Sequence, residues 1–241
     1  MDWEKLWQDL YGALIFEGRW KLYLRGLGTT LQIAAVACAL GIVLGLLVSI
    51  VKIYAGGMNK PKQGNVILLG YYILRFLNFV CNLYTTVVRG TPVVLQLLIL
   101  YGMAAMPNGT IACMLGFGIN SGAYVSEVFR GGINSVDIGQ MEAGRSLGLS
   151  RNLTMSKIIL PQAVKNILPA LFNEFIALIK ETSIAGYIAV NDLTKLANGI
   201  KGRTFNTLPF FVAALLYLFL TIVLASLQRR IERRLARSDR N

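Results

Sequence analysis

Glu142-Ala143-Gly144-Arg145-Ser146-Leu147-Gly148-Leu149-Ser150 runs on through Arg151 to Lys157 and closes with Ile158-Ile159-Leu160-Pro161. It is a polar, basic stretch in a chain that is otherwise mostly apolar. Gln140 to Leu147 has the composition of a short helix. Gly148 can take the left-handed conformation that ends one. Ser150 is a good N-cap for a second short helix. Pro161 disfavours a helical conformation at Leu160. Two short helices at an angle, on a loop between apolar segments, make a compact knob suited to docking on another protein.

The surroundings of that knob set the class. The chain has 241 residues, 55% of them hydrophobic, above the roughly 45–50% of soluble domains. The apolar residues come in blocks of about 20, the length that spans a bilayer. One all-α integral membrane protein is expected. Met1 to Arg25 mixes acids with bases and lacks the basic start and short apolar core of a cleaved signal peptide. The net charge of +12 reflects basic cytoplasmic loops rather than a nucleic-acid partner. Cys38, Cys81 and Cys113 are scattered among apolar residues and read as small packing residues. With no histidine and no paired cysteines, no zinc, haem or iron–sulfur site is expected, nor any other metal.

Five spans are predicted: 28–51, 84–106, 111–129, 166–190 and 209–227. Before them, Trp3, Trp7, Tyr11 and Trp20 suit a helix lying at the membrane interface. Gly41 and Gly45 in the first span have the small-xxx-small spacing that lets another helix approach closely. From Lys52 to Arg89 there are five bases and no acid, which places this stretch in the cytoplasm. Gly56-Gly57 and Lys60-Pro61-Lys62 mark a loop there, and 66–80 reads as an amphipathic lead-in to the second span. That span is entered through Arg89-Gly90-Thr91-Pro92 and carries Gln96. The uncharged turn Met106 to Thr110 faces outward. The third span is rich in small residues and polar at Asn120 and Ser121. Asn191 to Leu208 reads as an outer loop. The tail from Gln228 has six arginines against Glu232 and Asp239 and lies in the cytoplasm. The N-terminus is then outside and the C-terminus inside. The parts are an interfacial segment 1–27, a membrane domain 28–227 with the knob at 137–161, and a basic tail 228–241.

The fourth span carries the sharpest chemical signal. Glu174 and Glu181 lie on one helix face, about 10 Å apart along the axis. Asn173 and Lys180 form an adjacent stripe. A charge at mid-bilayer costs roughly 2.5–3.5 kcal/mol on insertion scales, so such residues normally face a polar interior. One reading pairs Glu181 with a base on a neighbouring helix and satisfies Glu174 with hydrogen bonds. The other is a cation-attracting cavity near the midplane, with Glu174 selecting a positive group and Asn120 and Ser121 adding neutral hydrogen bonds. No Ser/His/Asp or Cys/His set exists, because histidine is absent. No Gly-x-x-x-x-Gly-Lys-Ser/Thr run exists either, so ATP is not bound in that manner here. The chain is not expected to be an enzyme.

Glu142, Ala143, Gly148, Ile158, Leu160 and Pro161 resemble the cytoplasmic loop of the permeases of bacterial ABC importers. There the pattern is Glu-Ala-Ala, three residues, Gly, nine residues, Ile-x-Leu-Pro. Gly144 departs from the Ala of that pattern. Arg89-Gly90-Thr91-Pro92 with Gln96, Asn120 to Tyr124, Phe129-Arg130-Gly131-Gly132 and Lys180-Glu181-Thr182-Ser183 resemble, in order, segments of the polar amino acid permeases that import histidine, arginine and glutamine. The resemblance covers about 23–235, although the stretch 54–79 is longer than the family leads one to expect. It implies a five-span type I importer permease in the bacterial inner membrane, without a cofactor of its own. It also implies two copies of a separate ATPase subunit docked through Glu142 to Pro161, Gly144 included. A second copy of the permease (a homodimer) or a homologue, and an extracytoplasmic amino-acid-binding protein, complete the set of partners. An acid at the position of Glu174 goes with basic amino acids in such permeases. Glu181, Asn173 and Gln96 complete the set of candidate substrate-path residues.

Two rival readings remain at this point. One is an ion-coupled carrier or channel using Glu174 and Glu181. The other is a membrane-anchored DNA-binding helix–turn–helix, since Ala143, Gly148 and Ser150 also fit that motif.

Overall fold

The structure, a computed structural model, describes residues 3–58, 65–103, 106 and 108–237. Lys60-Pro61-Lys62 and Pro107, where a loop and a turn are expected, lie outside the described residues. Every regular element among the described residues is helical. The helices are α1 (Trp3–Leu14), α2 (Trp20–Gly56), α3 (Asn65–Gly90), α4 (Val93–Met103), α5 (Gly109–Asn134), α6 (Ile138–Ser146), α7 (Arg151–Thr154), α8 (Leu160–Glu181), α9 (Leu193–Thr204) and α10 (Leu208–Arg237).

Helices α2 and α10 are long and apolar enough to cross a membrane, and α3 with α4 form a third, bent candidate. The bend is 110°, so the span expected over 84–106 is broken at the Arg89-Gly90-Thr91-Pro92 entrance. Its cause is local. Pro92 has no N–H to give to a helix and disfavours a helical Thr91 before it. Thr91 Oγ1 bonds the Val87 carbonyl at 2.9 Å and closes α3. The lead-in over 66–80 is part of α3 itself. The stretch 166–190 is likewise not one α-helix: α8 ends at Glu181 and a 3-10 segment follows, Thr182–Ile188. Asn191 to Leu208 is not a plain loop, because it contains α9, with Leu193, Ala197 and Ile200 buried.

Leu160 is another correction. It is helical, with φ −59° and ψ −44°, despite Pro161. A π turn over Met155–Ile159 absorbs the proline. The Leu160 N–H bonds back to the Met155 carbonyl, and the widened turn relieves the clash that a proline ring makes with the carbonyl four residues before it.

The chain divides into two compact units, residues 1–38, 93–117 and 175–227, and residues 39–92, 118–174 and 228–241. The first unit has an apolar core of Ile33, Ala34 and Ala37 from α2, Leu97, Ala112, Cys113 and Phe117 from α4 and α5, and Leu178 and Ile179 from α8. A smaller cluster joins Tyr23, Leu193, Ala197, Ile200 and Ala213. The second unit is held by small residues and polar links. A Cβ on Gly41 would fall 2.7 Å from Ser121 Oγ, and one on Gly45 2.6 Å from Val125 Cγ1. These two glycines, spaced as the sequence predicts for a close crossing, set α2 against α5. In lipid the tails are as apolar as Leu, so such close packing carries helix association.

Candidate functional site

Helix α8 carries Glu174 and α5 carries Asn120 and Ser121, all in the second unit. Ser121 Oγ donates to Glu174 Oε1 at 2.8 Å. Asn120 and Ser121 are buried, and Glu174 is half-buried. The site is shaped by its neighbours. Gly41 lets α2 close on Ser121. Tyr84 of α3 donates its hydroxyl to the Ile119 carbonyl at 2.5 Å, one residue before Asn120. The Arg89 guanidinium lies 5.3 Å from the centre of the Tyr124 ring. Two of the sequence segments picked out above, at Arg89 and at Asn120 to Tyr124, therefore meet. The result is a carboxylate of α8 held by a buried hydroxyl of α5.

The other predicted path residues are placed differently. Asn173 and Lys180 are exposed on their stripe of α8. Glu181 is half-buried at the last residue of α8, and Gln96 is half-buried in α4. Both belong to the first unit. Among the described residues no basic side chain forms an ion pair with Glu181.

A charged cluster in the second unit was not foreseen. Lys52 Nζ lies 3.0 Å from Glu127 Oε1 and donates to Thr85 Oγ1 at 2.8 Å. Glu127 Oε2 accepts from Arg130 Nη2 at 2.6 Å. The Lys52 and Glu127 side chains are only 9% and 22% exposed. Helices α2, α3 and α5 are thus joined at one level. The available signal was a lysine just past the first predicted span and a glutamate near the end of the third.

In the knob, Asp137 caps α6 by accepting from the Gly139 N–H at 2.6 Å. Gly148 has φ +83°, and Ser150 Oγ accepts from the Leu153 N–H at 3.3 Å, as the sequence predicts. Gly144 is buried, and a Cβ there would lie 2.5 Å from Thr154 Cγ2. The glycine that departs from the expected alanine is the point where α6 and α7 touch. Glu142, Ala143 and Leu147 face outward, Ile138 and Leu147 being 76% and 80% exposed. Ile158 is half-buried, while Leu160 and Pro161 are exposed. The knob is stitched to its surroundings: Asn166 Nδ2 donates to Ser135 Oγ at 2.8 Å, and Arg151 Nη1 donates to the Gly57 carbonyl at 3.2 Å.

Residues 67–237 match the family described as binding-protein-dependent transport system inner membrane component. The chain belongs to that family. It is 36% identical over 222 residues to the arginine transport system permease protein ArtQ of Bacillus subtilis (strain 168), covering 90% of this chain and 93% of that one. It is 33% identical over 241 residues to the glutamine transport system permease protein GlnP of Escherichia coli (strain K12), covering 97% of each. A crystal structure of an amino acid ABC transporter with histidines superposes with a TM-score of 0.77 at 35% identity, over 89% of this chain and 94% of that chain. An inward-facing structure of the MetNI methionine ABC transporter shares the fold, with a TM-score of 0.74 at 18% identity.

The protein is therefore a membrane permease subunit of an ABC importer and not an enzyme; ATP is hydrolysed by separate subunits. The family implies an ATPase and a binding protein as partners. Membership displaces both the ion-coupled carrier and the DNA-binding regulator.

Proposed function

We propose that this permease forms the path of a polar amino acid with a cationic side chain across the bacterial inner membrane, and that Glu174 selects that cation. The observation that carries the reading is the 2.8 Å hydrogen bond from Ser121 to Glu174. It orients one carboxylate oxygen of Glu174 on the helix that faces Ser121, whose neighbour in sequence is the buried Asn120. In a low-dielectric surrounding the charge of a carboxylate attracts a cation strongly. The likeness to ArtQ and to the amino acid transporter with histidines supports the same class. Asn120 and Ser121 supply neutral hydrogen bonds; Asn173, Gln96 and Glu181 are further candidates for contact with the substrate.

The assembly has two ATPase copies docked on Glu142, Ala143, Gly144, Gly148, Ile158, Leu160 and Pro161, and a second copy of the permease or a homologue beside this one. The permease itself carries no cofactor and no metal. Five spans run from an outer N-terminus to the cytoplasmic basic tail, with the segments 1–27, 28–227 and 228–241 as its parts. The apolar residues Ile138 and Leu147, exposed on an otherwise polar knob, support docking there, since exposed apolar patches rimmed by polar residues mark protein contacts. A half-open cavity of about 490 Å³ within the first unit, lined by Arg25, Tyr101, Asn108 and Thr110 among others, is where a binding protein would release its cargo.

The test is uptake of each of the twenty amino acids by the assembled transporter in proteoliposomes, with its binding protein and ATPase. Glu174→Gln lowers transport of cationic amino acids about tenfold or more, matching about 1.5–3 kcal/mol for a hydrogen bond to a charged group, and spares neutral ones. Unchanged preference in that variant sinks the assignment. Glu142→Arg and Gly148→Pro leave insertion intact but uncouple ATP hydrolysis from uptake.

A further inference from the structure

Trp3, Trp7 and Tyr11 recur every four residues on one edge of α1, and are 70%, 67% and 48% exposed. The adjoining edge belongs to the protein: Ala13 is buried, and Leu14 packs on the cluster of Tyr23, Leu193, Ala197 and Ile200. Glu4 and Gln8 are exposed on a further edge. Thus α1 has one side for its own fold, one for water, and one made of aromatic rings that stay largely exposed among the described residues.

The helix is held at a fixed angle. Glu17 and Gly18 both have positive φ, 53° and 68°, and turn the chain between α1 and α2. The buried Arg19 locks the corner. Its Nη1 donates to the Gly12 carbonyl at 2.5 Å, and its guanidinium lies 5.1 Å from the centre of the Phe16 ring.

The aromatic edge does not end at the corner. Ile15, Phe16, Trp20 and Leu24 are 52%, 47%, 48% and 54% exposed. Trp20 and Leu24 sit on the first turns of α2, a helix long enough to cross the membrane that the family description assigns. The unpartnered edge of α1 is therefore continuous with a surface that lipid covers. Indole and phenol rings favour the headgroup level of a bilayer. A helix with one aromatic face and one charged face lies in that layer, about 5–10 Å deep.

We propose that α1 is an interfacial anchor, seated in the lipid headgroup layer through Trp3, Trp7, Tyr11 and Trp20. It sets the depth and rotation at which α2 enters the bilayer. That rotation matters inside the first unit, because a Cβ on Gly26 would fall 2.8 Å from the Leu193 backbone. The anchor rests on the membrane location of the family and not on the amino acid carried.

The three tryptophans of the chain are Trp3, Trp7 and Trp20, so intrinsic fluorescence reads this edge alone. The experiment uses the full chain, assembled with an ATPase and a nanodisc belt protein whose tryptophans are replaced by Phe, in lipids brominated either near the glycerol end or near the chain end. Single-tryptophan variants keep Trp3, Trp7 or Trp20 and replace the others by Phe. The expected result is that shallow bromines quench Trp3 and Trp7 about two-fold more than deep ones, as the interfacial depth requires. Trp20 is quenched by lipid as well, which checks each nanodisc preparation. Quenching of Trp3 and Trp7 by aqueous iodide but by neither lipid overturns the proposal in favour of a solvent-facing helix. Protection from lipid and iodide alike overturns it in favour of a protein partner on that edge.

Discussion

Lys52 of α2 and Glu127 of α5 are separated by 75 residues in sequence and meet at 3.0 Å. Thr85 and Arg130 complete the cluster, which joins three helices of one unit. Glu127 lies two turns beyond Asn120 on α5, and α6 begins soon after that helix ends. The pair stands between Asn120 and the knob on the same stretch of chain.

Breaking this pair should be costly because neither charge is well exposed. Glu127→Gln or Lys52→Met, made singly, is expected to lower stability by about 1–3 kcal/mol, between the values for exposed and for buried pairs. Lys52→Met with Glu127→Gln removes both charges and recovers part of that loss. Thermal melting of the purified permease in detergent measures it as a double-mutant cycle. Strictly additive losses would show that the two charges do not interact.

Gly144 is expected to tolerate no side chain while Thr154 faces it. Gly144→Ala gains helix propensity of up to about 1 kcal/mol, yet its Cβ falls on Thr154 Cγ2 at 2.5 Å. Overpacking of that kind costs about 1–3 kcal/mol, so the variant should lose stability and coupling. Adding Thr154→Ala should restore both. The readout is transport-coupled ATPase activity beside a melting curve; a neutral Gly144→Ala would overturn the account.

The crossing of α2 and α5 makes a parallel case. Gly45→Ala puts a methyl 2.6 Å from Val125 Cγ1 and should cost about 1–3 kcal/mol. Val125→Ala in the same chain should relieve most of it. Gly28→Ala, with open space around its Cβ, is the control that should melt like the natural protein.

Asp192 offers a test by pH. It is fully buried and caps α9, accepting from the Lys195 N–H at 3.0 Å and the Thr194 N–H at 2.9 Å. Burial pushes its carboxyl above the ordinary value, and those N–H groups offset only part of the shift. A carboxyl raised on folding adds stability below its unfolded value and loses it as pH rises through the folded one. Lowering the pH toward the ordinary carboxylate range should therefore raise the melting temperature of the natural protein relative to Asp192→Asn. Parallel curves for the two proteins would contradict this.

Much of the knob could be read from the chain, because its rules are local. Gly148, Ser150 and the short helix before them need only the residues beside them. Glu174 and Ser121 were also legible, as polar groups on apolar helices have few places to go. The bend at Thr91-Pro92 and the break after Glu181 were not, because hydropathy over a window reports apolarity and not direction. Pro161 misled for the opposite reason. Its local rule is sound, but a π turn satisfied it in another way. The Lys52–Glu127 pair joins distant segments, and nothing in either neighbourhood names the other.

The π turn over Met155–Ile159 has a consequence for Glu174. A wide turn is one residue inserted into an α-helix, and each residue of an α-helix turns the chain by about 100°. The widened turn takes up that extra residue locally, so the α-helical phase is the same on both sides of it. Deleting a single residue from Met155 to Ile159 would straighten the helix and leave Glu174 facing Ser121, whereas deleting one residue between 162 and 172 would swing Glu174 about 100° away. The segment that leaves the knob can thus change length by one residue without turning Glu174.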